Sequence, residues 1–243
     1  MGLIVQKFGG TSVADRICLH NVANIIARRI GEGNHVVTVV SAQGDATDRL
    51  LASAREMSEK PNLRELDALL STGEQASAAL LAITLIDMGI PAVSLTGAQA
   101  GIQTDNEYGN AEITMIDTQK IEQYLERGAT VIIAGFQGLS PEGDVATLGR
   151  GGSDASAVAL AAALRADSCR IYKDVDGIYT ADPRKDITAK KLDHITYEDM
   201  LALSDAGSGV LQRKSIELAQ KNKVELHILS SFQRTSGTII NDK

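Results

Sequence analysis

Runs of consecutive apolar residues alternate along this chain with segments in which apolar residues recur at helical spacing. The first pattern is typical of strands buried on both faces, and the second is typical of amphipathic helices. Strands joined by helices need crossover connections, so the pattern predicts an α/β fold with a mostly parallel sheet covered on both faces. We predict strands at residues 3–8, 36–41, 92–96, 130–134, 169–173 and 225–230, and helices at 13–30, from about 47, and at 63–88, 117–127, 153–165, 197–203 and 211–221.

Residues with strong local preferences mark the ends of these elements. Thr11 or Ser12 is expected to cap the first helix, and Thr47 is a candidate cap for the second, because hydroxyl oxygens accept the free N–H groups of a first turn. Gly128 is expected to end the helix before residue 130. No linker rich in Pro or Ser interrupts the pattern, so we expect a single domain over residues 1–243.

Composition and charge narrow the class of protein. The chain has 243 residues with a formal net charge of −7 and only 3% aromatic residues, which argues against a nucleic-acid-binding surface. The apolar stretch at 76–86 is shorter than the ~20 residues of a membrane span, and the N-terminus lacks the pattern of a secretory signal. Cys18 and Cys169 are too few for a disulfide framework. We therefore expect a reduced, cytoplasmic protein that binds neither nucleic acid nor membrane.

Candidate chemistry first appears where the strand at 3–8 ends. Lys7 is followed by Gly9, Gly10 and Ser12 at the start of a helix. Backbone N–H groups at such a turn form an anion site, and the Lys7 ammonium could reach a phosphoryl group over it. A plain strand–turn–helix connection with an exposed lysine explains this segment equally well.

Two further turns follow the same plan. Residues 41–48 connect a strand to a helix, and here a capped helix at Thr47 is locally the better explanation than a ligand site. Residues 147–154 place three glycines around Arg150 before an Ala-rich helix, an arrangement with a high conformational-entropy cost that favours function over structure. The Arg150 guanidinium can bind a carboxylate in a bidentate manner, and Ser153 and Asp154 can orient ligand groups or hold Lys7.

A fourth loop, at 173–184, follows the strand 169–173. Asp174, Asp176 and Gly177 resemble part of a calcium loop, but the later ligands do not follow. Tyr179 and Arg184 could instead hold a nucleotide base and phosphates. Four turns of this kind at strand ends, with cations and no His or Cys cluster, indicate phosphoryl transfer, which needs positive charge and positioning more than covalent chemistry.

With these residues in place, the chain closely resembles the catalytic domain of the aspartokinases, in the amino acid kinase superfamily. Six motifs in family order cover nearly the whole chain. They are residues 7–13 (KFGGTSV), 39–48 (VVSAQGDATD), 71–75 (STGEQ), 135–138 (GFQG), 147–154 (TLGRGGSD) and 172–184 (YKDVDGIYTADPR). The resemblance implies a three-layer sandwich with a mostly parallel sheet of about eight strands between helical layers. It also implies phosphorylation of the L-aspartate β-carboxylate by ATP carrying Mg²⁺, in the biosynthesis of lysine, threonine and methionine, by a homodimer.

The resemblance also assigns roles by position. Lys7 would stabilise the transferring phosphoryl group, with Asp154 as its organiser, and no dedicated metal site is implied. Arg150 would bind the α-carboxylate of aspartate and Glu74 would face its α-ammonium. The amino acid site would comprise Ser41, Thr47, Glu74, Arg150, Gly151, Gly152 and Ser153. The ATP site would comprise Lys7, Gly9, Gly10, Ser12, Lys173, Asp174, Tyr179, Arg184, Gly209 and Val210.

Two departures from the family pattern qualify these expectations. Gly209 stands where the family usually carries a lysine near the nucleotide. The chain ends at residue 243, where family members commonly continue into ACT regulatory domains, so we expect no feedback inhibition through this chain. Two alternatives stay open: a kinase for another acidic amino acid such as glutamate or N-acetylglutamate, and a nucleotide-binding subunit that has lost catalysis.

Overall fold

The computed structural model describes residues 2–181, 183 and 186–242. Its strands are β1 (Leu3–Phe8), β2 (His35–Val40), β3 (Ala92–Leu95), β4 (Ile102–Thr104), β5 (Ile113–Ile116), β6 (Thr130–Ala134), β7 (Gln137–Leu139), β8 (Val145–Thr147), β9 (Ser168–Lys173), β10 (Ile178–Tyr179), β11 (Lys191–Leu192), β12 (His194–Ile195), β13 (Leu226–Ser230) and β14 (Thr238–Ile240). Its α-helices are α1 (Arg16–Gly31), α2 (Ala46–Met57), α3 (Leu63–Asp87), α4 (Gln119–Glu126), α5 (Gly152–Ala163), α6 (Tyr197–Asp205) and α7 (Arg213–Asn222). A short 3₁₀ helix, Gly10–Val13, precedes α1.

The main sheet has eight strands within the described residues, in the order β12-β14-β13-β9-β1-β2-β6-β3. The run from β13 to β3 is parallel, and β14 is antiparallel to β13. Lys7 on β1 pairs in register with Val39 on β2 and Ile171 on β9. The carboxyl ends of these central strands therefore form one edge, where open α/β sheets bind their ligands.

Each face of the sheet packs against its own layer of helices. Alternate side chains of the strands face opposite ways, so Val5 and Val39 join one core while Phe8 and Val40 join the other. The first core includes residues of α4, α5, α6 and α7, and the second includes residues of α1 and α3. The predicted α/β fold, with a mostly parallel eight-stranded sheet between helical layers, is confirmed.

A second, four-stranded sheet in the order β5-β4-β7-β8 was not predicted. Its strands are only three or four residues long, too short for an apolar run or an alternating pattern to distinguish them from loops. The first residue of β8 follows a turn, and the last leads directly into the glycine turn before α5. This small sheet therefore fixes one end of the glycine turn that the sequence singles out.

The capping predictions need correction at two helices. Neither Thr11 nor Ser12 caps α1, because both lie in the 3₁₀ helix; the Asp15 carboxylate instead accepts a 2.8 Å hydrogen bond from the Cys18 N–H. Thr47 lies inside the first turn of α2, and Asp45 occupies the capping position without a side-chain hydrogen bond. Gly128 behaves as expected: it comes just after Arg127, the residue that caps the end of α4, and has φ of 77°.

Helix α3 is long and apolar enough to cross a membrane by length and composition. Half of that apolar window is buried inside the protein, which is typical of the core helix of a folded domain. The helix also carries the buried carboxyl groups of Asp67 and Glu74. We therefore regard α3 as a core helix.

Candidate active site

Three charged side chains meet at the carboxyl edge of the main sheet. The Nζ of Lys7, on β1, lies 2.7 Å from Oδ1 of Asp154, and the Nζ of Lys173, on β9, lies 2.8 Å from Oδ2. Asp154 is in the first turn of α5, where the helix dipole also favours a carboxylate. Lys7 and Asp154 are only 6% and 4% exposed, so a buried carboxylate bridges two ammonium groups.

Burial and neighbouring charges act in opposite directions in this lysine–aspartate–lysine cluster. Burial lowers the pKa of Lys7, and the charge of Asp154 offsets only part of this lowering, to which the charge of Lys173 also contributes. Burial would raise the pKa of Asp154, but the ammonium groups of Lys7 and Lys173 hold that pKa below its usual value. With all three groups ionised the cluster carries one net positive charge, which suits the binding of an anion.

Glu74 lies beside this cluster because α3 approaches the loop after β2 very closely. A Cβ on Gly73 would lie 2.8 Å from the Cβ of Ala42, so only glycine allows this approach without movement. Oε1 of Glu74 accepts a 3.1 Å hydrogen bond from the Ala42 N–H, and Oε2 is buried with no hydrogen-bond partner among the described residues. Burial raises the pKa of Glu74 to about 7.

The glycine turn after β1 is shaped by close backbone contacts. A Cβ on Gly10 would lie 2.8 Å from the carbonyl oxygen of Ala42, and Gly44 N–H donates a 3.0 Å hydrogen bond to Gly10 O. A Cβ on Gly9 would lie 3.7 Å from the Lys7 ammonium. The turns after β1 and β2 are therefore held together beside Lys7.

The glycine turn before α5 needs its glycines for two different reasons. Gly149 and Gly151 have φ of 70° and 74°, a conformation that side-chain-bearing residues rarely adopt. A Cβ on Gly152 would lie 2.8 Å from side-chain atoms of both Leu148 and Phe136. Arg150, at the tip of this turn, is exposed, so its guanidinium is accessible from solvent.

Asp67 anchors this turn and was missed by the sequence reasoning. It is fully buried on α3, and its carboxylate accepts hydrogen bonds of 2.9, 2.8 and 2.7 Å from Gly109 N, Thr147 N and Thr147 Oγ1. The sequence signal for Asp67 was its place on the apolar face of a predicted helix. A buried aspartate needs hydrogen-bond partners, so that position could have indicated a structural role.

Ser12 and Ser153, both predicted to bind a ligand, are buried against other residues of the protein. The Ser12 hydroxyl is buried and lies 2.5 Å from the hydroxyl of Ser231, in the loop after β13. Ser153 is mostly buried beside Gly135, where a Cβ would lie 2.9 Å from the Cβ of Ser153. Ser231 N–H in turn donates a 2.9 Å hydrogen bond to Lys173 O, which ties this loop to the charged cluster.

The remaining predicted residues make no side-chain hydrogen bond or ion pair with the Lys7–Asp154–Lys173 cluster within the part of the chain that the structure describes. Ser41 and Thr47 are half-buried in and after the turn that follows β2. Asp174 is exposed, and the Tyr179 hydroxyl donates a 2.9 Å hydrogen bond to Asp176, which raises the pKa of Tyr179. Arg184 lies outside the described residues.

Gly209 and Val210 come close to the glycine turn through the residues that follow them. A Cβ on Gly151 would lie 2.5 Å from Cγ of Gln212, which precedes α7. Gly209 is exposed, and no atom lies within 4 Å of a Cβ placed on it. This stretch therefore borders the turn, and Gly209 leaves open space where a longer side chain would fit.

No group of three or more His, Cys, Asp or Glu side chains in the described part of the chain could hold a metal ion. The arrangement is instead the Lys7–Asp154–Lys173 cluster at the carboxyl edge of the sheet, with a second carboxyl group, Glu74, beside it. Such a site can bind an anion and a cationic group side by side.

Comparison with known proteins places this arrangement in a family. The sequence model of the amino acid kinase family matches residues 2–230. The chain belongs to the amino acid kinase family. This family member is 51% identical to an aspartokinase of Geobacillus stearothermophilus and 49% identical to aspartokinase 2 of Bacillus subtilis, in both cases over the whole chain. It spans 60% of the length of each of these relatives.

Solved structures agree with this family assignment. Aspartate kinase from Synechocystis superposes with a TM-score of 0.89 at 43% identity, over 99% of this chain and 40% of that one. E. coli aspartokinase III in complex with aspartate and ADP gives a TM-score of 0.88 at 27% identity, over 99% of this chain and 65% of that one. UMP kinase from Bacillus anthracis, at 19% identity and a TM-score of 0.75, shares the fold alone.

Proposed function

We propose that this chain is the catalytic domain of an aspartate kinase, which transfers the γ-phosphoryl group of ATP to the β-carboxylate of L-aspartate. The observation that carries the proposal is the buried Lys7–Asp154–Lys173 cluster, with Glu74 beside it at the carboxyl edge of the sheet. The aspartokinase relatives, and the aspartate and ADP bound to E. coli aspartokinase III, support the choice of substrates.

The chemistry follows from this placement. A β-carboxylate oxygen attacks the γ-phosphorus, the bond from that phosphorus to the bridging oxygen breaks, and ADP leaves with the electron pair. Negative charge moves across the phosphoryl oxygens and the bridging oxygen during this step, and the Lys7 ammonium stabilises it. Asp154 positions Lys7, and the backbone N–H groups of the turn at Gly9 and Gly10 add further donors.

The amino acid substrate carries two carboxylates and one ammonium group. Arg150, exposed at the tip of its turn, takes the α-carboxylate, and the free Oε2 of Glu74 accepts the α-ammonium. This division of charge favours a free amino acid over an N-acylated one, because an acylated nitrogen carries no charge to pair with Glu74.

Hydroxylamine trapping of the acyl phosphate product tests this proposal. Incubation with Mg-ATP, hydroxylamine and L-aspartate should yield the hydroxamate, while N-acetylglutamate and glutamate should yield little. Hydroxamate formed from another acidic amino acid in preference to aspartate would support the alternative kinase. ATP binding without any hydroxamate would support a nucleotide-binding subunit without catalysis.

We also propose that the protein forms a homodimer through the outward face of α3. Residues 75–86 carry no charge, and Leu80, Ile83 and Ile86 on this helix are 40%, 62% and 56% exposed. An uncharged apolar face of this kind suits an isologous contact with a second copy. Ile83→Glu should shift the protein from dimer to monomer in light scattering, whereas Ile17→Glu, at an exposed position of α1, should not. An unchanged dimer in Ile83→Glu would contradict this interface.

The other expectations for this kinase are proposals of the same kind. Residues 1–243 form one kinase domain, which is supported by two cores that share a single sheet. Mg²⁺ enters with ATP. The protein works in the cytoplasm, which is supported by the free thiols of Cys18 and Cys169.

A further inference from the structure

A cleft of about 620 Å³ opens on the side of the sheet that α1 covers. Its walls are α1, the end of β9 at Tyr172, and the loop that follows β13. Lys7, Asp154 and the glycine turn before α5 do not line it, and Asp154 belongs to a helix on the opposite side of the sheet. The cleft is therefore separate from the candidate active site.

The charged side chains that line this cleft are all arginines. Arg28, Arg29 and Arg234 line it, and no Asp or Glu lines it within the described residues, although the chain as a whole carries a net charge of −7. Arg29 is held by Glu32 through hydrogen bonds of 3.0 and 2.9 Å. Arg28 and Arg234 are exposed and make no ion pair with any described residue. Two guanidinium groups are thus available to an anion that enters the cleft.

Hydrogen-bonding groups and a small apolar wall accompany these arginines. Asn21, Asn24 and Arg28 follow one another at helical spacing and share one face of α1. The buried hydroxyl of Tyr172 interacts with the guanidinium of Arg29, which Glu32 also holds. Arg29 and Tyr172 therefore form a fixed part of the cleft wall, and the ligand contacts fall to Arg28, Arg234 and the side chains of Asn21 and Asn24. Phe232 is 54% exposed at the rim.

The floor of the cleft is connected to the glycine turn beside Lys7. Asn21 Nδ2 donates a 2.6 Å hydrogen bond to the carbonyl oxygen of Ser231. The Ser231 hydroxyl lies 2.5 Å from that of Ser12, and its N–H donates to the carbonyl oxygen of Lys173. These hydrogen bonds connect Asn21 and the loop after β13 to Ser12 and Lys173, two residues of the proposed nucleotide site.

We propose that this cleft binds a small organic polyanion, a phosphomonoester or a polycarboxylate, and that its occupancy changes the affinity of the nucleotide site. Paired guanidinium groups bind both kinds of oxyanion in the same bidentate manner. The proposal of an anion site depends only on the residues of the cleft. The proposed coupling to the nucleotide site also rests on the proposed function.

Calorimetric titration of citrate and of inorganic phosphate into the 243-residue chain tests the anion site. The double variant Arg28→Gln/Arg234→Gln should weaken binding of the better probe by about tenfold or more, since each guanidinium supplies charge-assisted hydrogen bonds. The double variant Arg55→Gln/Arg127→Gln removes the same charge from exposed positions elsewhere and should leave binding within about twofold of wild type.

Hydrogen exchange locates the bound probe. Protection is expected at residues 21–29 and 231–235. Protection confined to the turns beside Lys7 and Arg150, equal losses in the two double variants, or no binding of either probe would each overturn the anion site.

The coupling is tested by titrating ADP with and without saturating citrate, in magnesium-free buffer so that chelation plays no part. The dissociation constant of ADP should change about fivefold or more, and ADP should change the citrate affinity by the same factor, because coupling between two sites is reciprocal. ADP binding that citrate leaves unchanged would refute the coupling. Absence of ADP binding would refute the proposed function and the coupling together, and the anion site would still stand on its own titration.

Discussion

At the candidate site, the ionisation of each carboxyl group depends on the groups that surround it. Asp154 lies between two lysines, so its carboxylate is ionised despite burial, and it holds Lys7 in one orientation. Glu74 differs, because one of its oxygens is bound to Ala42 N–H and the other is buried without a partner. A carboxyl group left half-satisfied in this way is poised to accept a cationic ligand group.

Glu74 makes a prediction for stability against pH. Its pKa of about 7 in the folded protein exceeds the ordinary value of 4.5, so the stability it confers is fully present below pH 4.5 and is lost as pH rises through 7. Glu74→Gln cannot ionise. This variant should therefore be more stable than wild type at pH 8, by roughly 3 kcal/mol, because each pKa unit corresponds to about 1.4 kcal/mol.

Urea unfolding of the two proteins at pH 4.5 and pH 8 measures this difference. At pH 4.5 the free energies of unfolding should converge, and at pH 8 they should separate. The same difference at both pH values would mean that Glu74 does not titrate in this range.

At the scale of secondary structure, the site depends on close contacts that only glycine permits. Gly73 brings α3 against the turn after β2 and so places Glu74, and Gly152 brings α5 against Phe136 and so places Asp154. Both carboxyl groups are thus positioned by the helix that carries them rather than by a flexible loop, which suits the precise alignment of reactants that the proposed phosphoryl transfer needs.

Gly73→Ala tests the first of these contacts. The added methyl group would meet Ala42 at 2.8 Å, so α3 must shift, at a cost of about 1–3 kcal/mol for an overpacked core. Gly31→Ala is the matched control, because nothing lies within 4 Å of its Cβ and alanine favours a helix. Thermal unfolding should show a lower midpoint for Gly73→Ala and an unchanged or higher one for Gly31→Ala; equal midpoints would contradict the contact.

The sequence predicted six of the eight strands of the main sheet from their apolar runs, and their bounds agree within one residue. It did not predict β12 and β14, which are only two and three residues long. It did not predict the short strands β4, β5, β7 and β8, because pairing with distant residues, and not local pattern, makes them strands. At the candidate site, the glycines at positions 9, 10, 149, 151 and 152 correctly indicated the turns after β1 and before α5. Ser12 pairs with Ser231, 219 residues away along the chain, and Asp67 pairs with Gly109 and Thr147, 42 and 80 residues away. No local sequence pattern reports on partners at such separations.

The turn before α7 carries a prediction of its own. Gly209 is exposed with open space around its Cβ, so Gly209→Lys fits without displacing a neighbour. If the aspartokinase resemblance places this position near the nucleotide, the new ammonium group should lower the KM for ATP by about tenfold, as a charge-assisted hydrogen bond to phosphate would.

Gly209→Ala is the control for this change, because it adds a side chain without a charge and should leave the KM for ATP unchanged. The gain in Gly209→Lys should also shrink at high salt. An equal KM for ATP in all three proteins would place this turn away from the phosphates.

At the scale of the whole molecule, one sheet separates two positively charged regions. The Lys7–Asp154–Lys173 cluster lies at the carboxyl edge toward α5, and the arginine cleft lies on the α1 side. The loop after β13 touches both regions, through Ser231. The overall charge of −7 is compatible with anionic ligands because these cations are concentrated locally.

Steady-state release of ADP in the presence of Mg-ATP and L-aspartate tests the central claim most directly. The wild-type chain should release ADP only when aspartate is present, and Lys7→Ala and Arg150→Ala should each lower kcat/KM by about 10²–10³ or more, since each removes a charge that faces a substrate. Arg55→Ala, on the exposed end of α2, should retain wild-type turnover. Wild-type turnover in both site variants, with correctly folded protein, would contradict the account.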